Sequence, residues 1–231
     1  MRTWAAIFDW DGVILDSAGQ HEQAWEWLVA QNGQALPPDF FLKSYGIKNE
    51  KAITELLGWK LEPDQMDRLI AAKEKQCRRL LRENGARSLP GVVALLKRLK
   101  ARGVPCAIAS STPRLNVDCA MKLLGIRHYF KAIVAGEDVK RGKPDPEVFL
   151  LAARRLKVPP ERCVVFEDAP VGIDAALAAG MKVVGLATTN PPGSLKRAHR
   201  VVRRLNELTA LEVAHLACDV RNQKRCKARE P

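Results

Sequence analysis

Trp4-Ala5-Ala6-Ile7-Phe8-Asp9-Trp10-Asp11-Gly12 is the stretch whose reading decides the fold. Trp4 to Phe8 form an unbroken apolar run, the length and composition of a strand buried on both faces. The run stops at Asp9, and Asp11-Gly12 is a turn signal. In an open parallel sheet, ligands gather beyond the carboxyl ends of the strands, which is where these two carboxylates fall.

Working outward, similar apolar runs return at residues 104–109, 163–166 and 182–186, with a weaker one at 132–135. Helical patterns separate them. Val92, Leu95, Leu96 and Leu99 fall at i, i+3, i+4 and i+7 after Pro90-Gly91, and Arg102-Gly103 closes that segment. Thr112-Pro113 reads as an N-cap with proline at the first helical position, leading into Val117, Met121 and Leu124. Ile173, Ala176, Leu177 and Gly180 mark a further stripe. Strands and helices alternating at this pace predict an α/β fold, a doubly wound parallel sheet covered on both faces.

Residues 17–88 break the alternation. They contain no buried-strand pattern, only helical ones at roughly 17–32, 49–57 and 63–83. The expected organisation is therefore a core of residues 1–16 and 89–218, a small α-helical cap domain at 17–88, and a basic tail at 219–231.

Composition limits the classes of function. The chain has 231 residues, 47% hydrophobic and 28% charged, enough apolar content for a substantial core. No apolar run is long enough to span a bilayer. The six cysteines lie far apart with no C-x-x-C pair, and the first residues do not read as a signal peptide, so a cytoplasmic protein with reduced thiols is expected. The net charge is +12, and residues 196–231 hold ten basic residues against four acidic ones, half of that excess. No nucleic-acid recognition motif accompanies the cluster, so nucleic acid is not the expected partner. A positive field that draws small anionic substrates is the milder reading.

The polar residues at the strand ends converge. Asp9 and Asp11 follow the first strand, Ser110-Ser111-Thr112 the second, and Glu167-Asp168 the run at 163–166; Gly142-Lys143-Pro144 sits in a loop before a helix. Several carboxylates in one crevice repel one another unless a cation or proton compensates, and oxygen ligands suit a hard ion such as magnesium. Ser110 and Lys143 are fitting partners for phosphoryl oxygens. Ser111 and Thr112 are alternatives to Ser110, which directly follows the apolar run.

These segments resemble the four ordered motifs of the haloacid dehalogenase superfamily: Asp9-Trp10-Asp11-Gly12-Val13, Ser110, Gly142-Lys143-Pro144-Asp145-Pro146 and Phe166-Glu167-Asp168-Ala169-Pro170. The resemblance covers roughly residues 3–216 and includes the helical insert between the first and second motifs. It implies a Rossmann-like core, with Asp9 as the nucleophile that forms an aspartyl-phosphate and Asp11 as general acid/base. It also implies Mg2+ held by Asp9, the main-chain carbonyl of Asp11 and Asp168, with Glu167 as a further acidic partner or a neighbour that tunes the site. Ser110 and Lys143 would bind phosphate. Asp11 argues against the superfamily's dehalogenases, which lack the second aspartate.

Within the insert, Asp16-Ser17 to His21 and Ala24-Trp25 is similar to β-phosphoglucomutases and sugar-phosphate phosphatases. That similarity assigns His21 to the cap histidine and, as the best match, Lys75 to the cap lysine. Trp25 reads as core. Where the mutases carry an arginine for the non-transferring phosphate, this chain has Asn49, beside Lys48; a lysine lacks the bidentate fork. The sequence therefore predicts a magnesium-dependent phosphatase for a small phosphorylated metabolite, a sugar phosphate by resemblance, acting as a monomer or homodimer. A phosphohexomutase is the alternative.

Overall fold

The computed structural model describes residues 4–217. The expected basic tail, 219–231, lies outside them, as does Cys218. β1 (Ala5–Phe8) has no exposed residue and alternates between two cores: Ala6 and Phe8 face one, Ala5 and Ile7 the other. Phe8 stacks on Phe166 with ring centroids 4.5 Å apart and meets the edge of Phe130 at 6.2 Å. Such pairs add to the free energy already gained by removing the rings from water.

The chain then leaves the sheet for a helical layer. α1 (Ala18–Gln31) packs along the long α4 (Pro63–Asn84), with α2 (Phe40–Ser44) and α3 (Asn49–Lys51) between them in sequence. α3 continues directly into a wider helical turn, Ala52–Leu56, closed by Leu57 N–H donating to Ala52 O. Trp25, Leu28, Phe40, Ala52 and Ile53 form an apolar cluster of their own, so this layer has its own packing. The five residues of α2 are too few to display a helical period and were not anticipated.

The two crossings between layer and sheet lie side by side. Asp16 N–H donates to Arg87 O at 2.9 Å, Leu89 N–H to Ile14 O at 3.0 Å, and Leu15 pairs with Ser88.

After the return, α5 (Val92–Ala101) leads into β2 (Cys106–Ala109), α6 (Arg114–Leu124) and β3 (Phe130–Val134). There follow α7 (Glu147–Leu156), β4 (Cys163–Glu167), α8 (Pro170–Ala178) and β5 (Lys182–Leu186). β6 (Arg200–Val202) and α9 (Ala210–Ala217) complete the described chain. The six strands make one parallel sheet in the order β3-β2-β1-β4-β5-β6. α5, α6 and α9 cover one face, and α7 and α8 the other. β6 escaped the sequence reading because three residues beginning with an arginine give no apolar run.

The order fixes where a ligand can bind. β1 is hydrogen-bonded to β2 on one side and β4 on the other, and the chain reverses its winding direction there. Loops leaving β1, β2 and β4 therefore open a crevice at the carboxyl edge, the switch point of a doubly wound sheet.

One backbone position carries removable strain. Lys157, just past the end of α7, is exposed and has φ +58°, a conformation that glycine adopts without steric cost. Lys157→Gly is expected to raise stability by roughly 0.5–1 kcal/mol, read from urea unfolding midpoints, because relief of the left-handed strain outweighs the glycine's added chain entropy.

Candidate active site

Asp9 emerges directly from β1, almost fully buried. β4 delivers Glu167 as its last residue and Asp168 just beyond, and suitably placed oxygens of Asp9, Glu167 and Asp168 all lie within 4.8 Å of one another. Three buried carboxylates would not stay together unaided. Lys143, from the loop between β3 and α7, supplies one cation: its Nζ is 3.0 Å from Asp9 Oδ1 and 2.5 Å from Glu167 Oε1. Burial would favour a neutral lysine, but Asp9 and Glu167 together hold its pKa above the ordinary lysine value.

One ammonium does not balance three carboxylates. Burial pushes Asp9 up to about 7, with Lys143 opposing the rise and Glu167 and Asp11 adding to it. Asp168 is raised as well, first by burial and then by Glu167 and Asp9. Asp9 Oδ1 faces Lys143 yet has no properly directed hydrogen bond. A cluster with surplus negative charge, hard oxygen donors and an unsatisfied carboxylate oxygen fits a divalent cation such as magnesium. Asp9 and Asp168 are the residues best able to hold it. Glu167 has both oxygens engaged, Oε1 by Lys143 and Oε2 by Ala169 N–H at 2.7 Å, so in this arrangement it steadies Lys143.

Two glycines make the cluster sterically feasible. Gly12 has φ +72°, and a Cβ there would lie 2.0 Å from Asp168 Oδ2; at Gly172 it would lie 1.7 Å from Glu167 Oε1. Thr189 donates its hydroxyl to Asp168 Oδ2, and Asn190 donates its amide to the Asp168 carbonyl at 3.1 Å. Both lie in the loop after β5, where the sequence reading looked for nothing.

Asp11 stands across the cavity in a different environment. Burial opposes its ionisation, but His21 and the hydroxyls of Ser17 and Thr112 hold its pKa well below the usual carboxylate range. Ser17 Oγ donates to Oδ1 at 2.6 Å, His21 Nε2 lies 3.2 Å from the same oxygen, and Thr112 Oγ1 donates to Oδ2. Thr112 therefore does not cap the next helix: α6 starts at Arg114, with Pro113 as its flanking residue. Ser110 is buried at the end of β2, and its Oγ accepts from Thr112 N–H at 3.0 Å.

The helical layer closes the top. Asp9, Asp11, Ser110 and Asp168 share one cavity of about 60 Å³ with His21, Asn49, Lys73 and Glu74. The expected cap lysine must be corrected. Lys75 is exposed, whereas Lys73 is buried against His21, its Nζ 2.9 Å from Nδ1. Two residues along a helix turn the side chain by about 200°, which puts Lys73 and Lys75 on opposite faces. Although burial and Lys73 oppose protonation of His21, Cys77 and Asp11 raise it to about 10. Nδ1 and Nζ at 2.9 Å are within hydrogen-bond distance, and only one of the two atoms can present a proton along that line.

Lys48 does not reach the cavity; its Nζ donates to Val139 O at 2.7 Å, tying the helical layer to the loop after β3. Asn49 lines the cavity and donates to Glu74 Oε1 at 2.8 Å. Trp25 is core, as expected, but one face also borders the cavity and lies 4.8 Å from Lys73 Nζ. Lys73, Glu74 and Asn116 were missed. The signal for Lys73 and Glu74 was a helix stripe, residues 73, 74, 77, 80 and 81, in which two charged residues share a face with Cys77, Leu80 and Leu81; Asn116, on α6, gave none.

This geometry belongs to a known class. Residues 5–180 match the family model of haloacid dehalogenase-like hydrolases, and the chain is a member of that family. Among its relatives, the chloroplastic 5-amino-6-(5-phospho-D-ribitylamino)uracil phosphatase of Arabidopsis thaliana is 40% identical over 214 residues, 92% of this chain. The chain spans only 57% of that protein's length. A phosphorylated carbohydrates phosphatase from Thermotoga maritima is 32% identical over 90% of this chain and 89% of its own length. The crystal structure of a β-phosphoglucomutase from Clostridium difficile superposes with a TM-score of 0.84 at 30% identity, covering 93% of this chain and 97% of that one.

Removing the single cation from the cluster tests its electrostatics. Lys143→Met is expected to cost about 3–5 kcal/mol at pH 7 in metal-free buffer, measured by urea unfolding, because it leaves buried carboxylates unpaired.

Proposed function

We propose that this protein is a magnesium-dependent phosphomonoesterase that hydrolyses a small phosphorylated sugar or polyol through an aspartyl-phosphate on Asp9. The observation that carries the reading is the contrast between two aspartates facing one cavity. Asp9 stands beside Lys143 among other carboxylates, whereas Asp11 is held by hydroxyls and an imidazole. Two carboxyl groups in unlike environments divide the labour of nucleophile and proton carrier.

Asp9 attacks phosphorus and the ester oxygen leaves with a proton from the Asp11–His21 couple, whose polar atoms lie 3.2 Å apart. Asp11 then accepts a proton from the water that cleaves the acyl phosphate. Ser110 and Lys143 hold the phosphoryl oxygens, and Glu167 keeps Lys143 in place. A divalent ion held by Asp9, Asp168 and the Asp11 carbonyl would offset the repulsion between an anionic nucleophile and an anionic ester.

The named substrates of the relatives, a phosphorylated ribityl compound and phosphorylated carbohydrates, support the sugar or polyol reading. The cavity of about 60 Å³ is smaller than usual ligand pockets, which supports entry of a sugar phosphate by the helical layer lifting from the sheet. No helix among the described residues is long and apolar enough to cross a membrane, and the four described cysteines are free, which suits a reducing compartment such as the cytoplasm.

The His21–Lys73 pair gives a mutase reading some support, because the sequence similarity assigns a histidine and a lysine to the mutase cap. Against it, Asn49 occupies the position of the mutase arginine and is turned toward Glu74. With glucose 1-phosphate and Mg2+, free phosphate is expected to accumulate without glucose 6-phosphate; glucose 6-phosphate as the main product would establish the mutase instead. For hydrolysis itself, Asp9→Asn is expected to lower phosphate release from hexitol phosphates by at least roughly a thousandfold. Chelation should abolish wild-type turnover and Mg2+ restore it; retained activity in Asp9→Asn would overturn the reading.

A further inference from the structure

We propose that Glu74 sets the substrate class of this site: it neutralises Lys73, so the pocket takes monophosphates of uncharged alcohols and rejects molecules with a second phosphate. The inference rests on the phosphatase reading for the transferred phosphate and concerns what lies beyond it.

Every donor of Lys73 is committed. Its Nζ is 2.8 Å from Glu74 Oε1, 2.9 Å from His21 Nδ1 and 3.4 Å from Asn49 Oδ1, and an ammonium has three N–H groups. No arginine lines the cavity. Arg78, one turn further along α4, is turned away to Asn116 Oδ1, and Lys48 is spent on Val139 O. The cation that could meet a second phosphate is thus already paired, and in a buried setting that pairing is not screened by solvent.

Glu74 is itself locked. Oε1 accepts from Lys73 and from Asn49 Nδ2, and Oε2 accepts from Asn116 Nδ2 on α6. It therefore cannot swing aside to release Lys73 without breaking bonds to both the helical layer and the sheet domain. The charged groups on this side leave no surplus of positive charge: His21 and Lys73 face the carboxylates of Asp11 and Glu74 one for one. Glu22, which accepts the Tyr45 hydroxyl at 3.2 Å, adds another carboxylate nearby. A second phosphate would enter a wall with no free counter-ion. A neutral alcohol meets Ser44, Tyr45, Ile47 and Phe41, which offer hydroxyls and apolar surface without charge.

The test uses binding in the full-length Asp9→Asn protein, so that substrates persist. Calorimetric titration with Mg2+ compares glucitol 6-phosphate with fructose 1,6-bisphosphate. The monophosphate is expected to bind at least roughly tenfold more tightly, and Glu74→Gln on the same background should shift that ratio toward the bisphosphate by about tenfold, since the amide keeps the shape and removes the charge. Equal or tighter bisphosphate binding with Glu74 intact overturns the proposal, as does failure of the monophosphate to bind. An unchanged ratio in folded Glu74→Gln protein overturns it too. The first comparison needs no change at Glu74, so it decides even if that variant does not fold. Phosphate release with Asp9 intact reports separately on hydrolysis: a preserved binding ratio without turnover would remove the phosphatase reading and leave the charge assignment standing.

Discussion

Three carboxylates and one ammonium at the carboxyl edge of the sheet set the terms for the rest of the molecule. Asp9, Glu167 and Asp168 are buried together with Lys143, and no arrangement of those four groups is neutral while all are ionised. A fold can hold such a cluster only if the surrounding backbone leaves it no room to relax. Adjacent strands β1 and β4 fix Asp9 and Glu167, while Gly12 and Gly172 remove the Cβ atoms that would push the carboxylates apart. The unbalanced negative charge is what makes the site fit a divalent ion.

Across the cavity the same sheet presents the opposite case. Asp11 is surrounded by donors, and the histidine that contacts it is itself tied to a lysine, a glutamate and two asparagines reaching as far as α6. One aspartate is short of partners and the other has three. The difference comes from where the donors originate: Ser17 and His21 belong to the helical layer, so Asp11 is fully partnered only while that layer sits on the sheet. In the proposed mechanism, closure of that layer and the partnering of Asp11 are therefore the same event.

Much of this was legible in the sequence, for identifiable reasons. β1, β2, β4 and β5 are short runs of apolar residues buried on both faces, and such runs announce themselves. Asp9, Ser110 and Asp168 each follow a strand directly and Asp11 lies in the turn just beyond Asp9, so the sheet's geometry carries them to one edge. The family resemblance held because those motifs are local in sequence. What stayed hidden depended on tertiary contacts. Thr112 looks like a helix cap until Asp11 is placed opposite it. Lys73 and Lys75 differ only by which face of α4 is covered, and the cover is provided by α1, fifty residues earlier in the chain. Thr189 and Asn190 belong to a loop with no pattern of its own.

The paired crossings at residues 14–16 and 87–89 have a further consequence. Since the polypeptide departs and comes back through two hydrogen-bonded neighbours, the sheet feels the excursion as a short hairpin whatever its contents. A differently shaped set of helices could be spliced between those two points without altering the distance the core must bridge. The sheet edge and the excursion can thus diverge independently, with the doorway between them held constant.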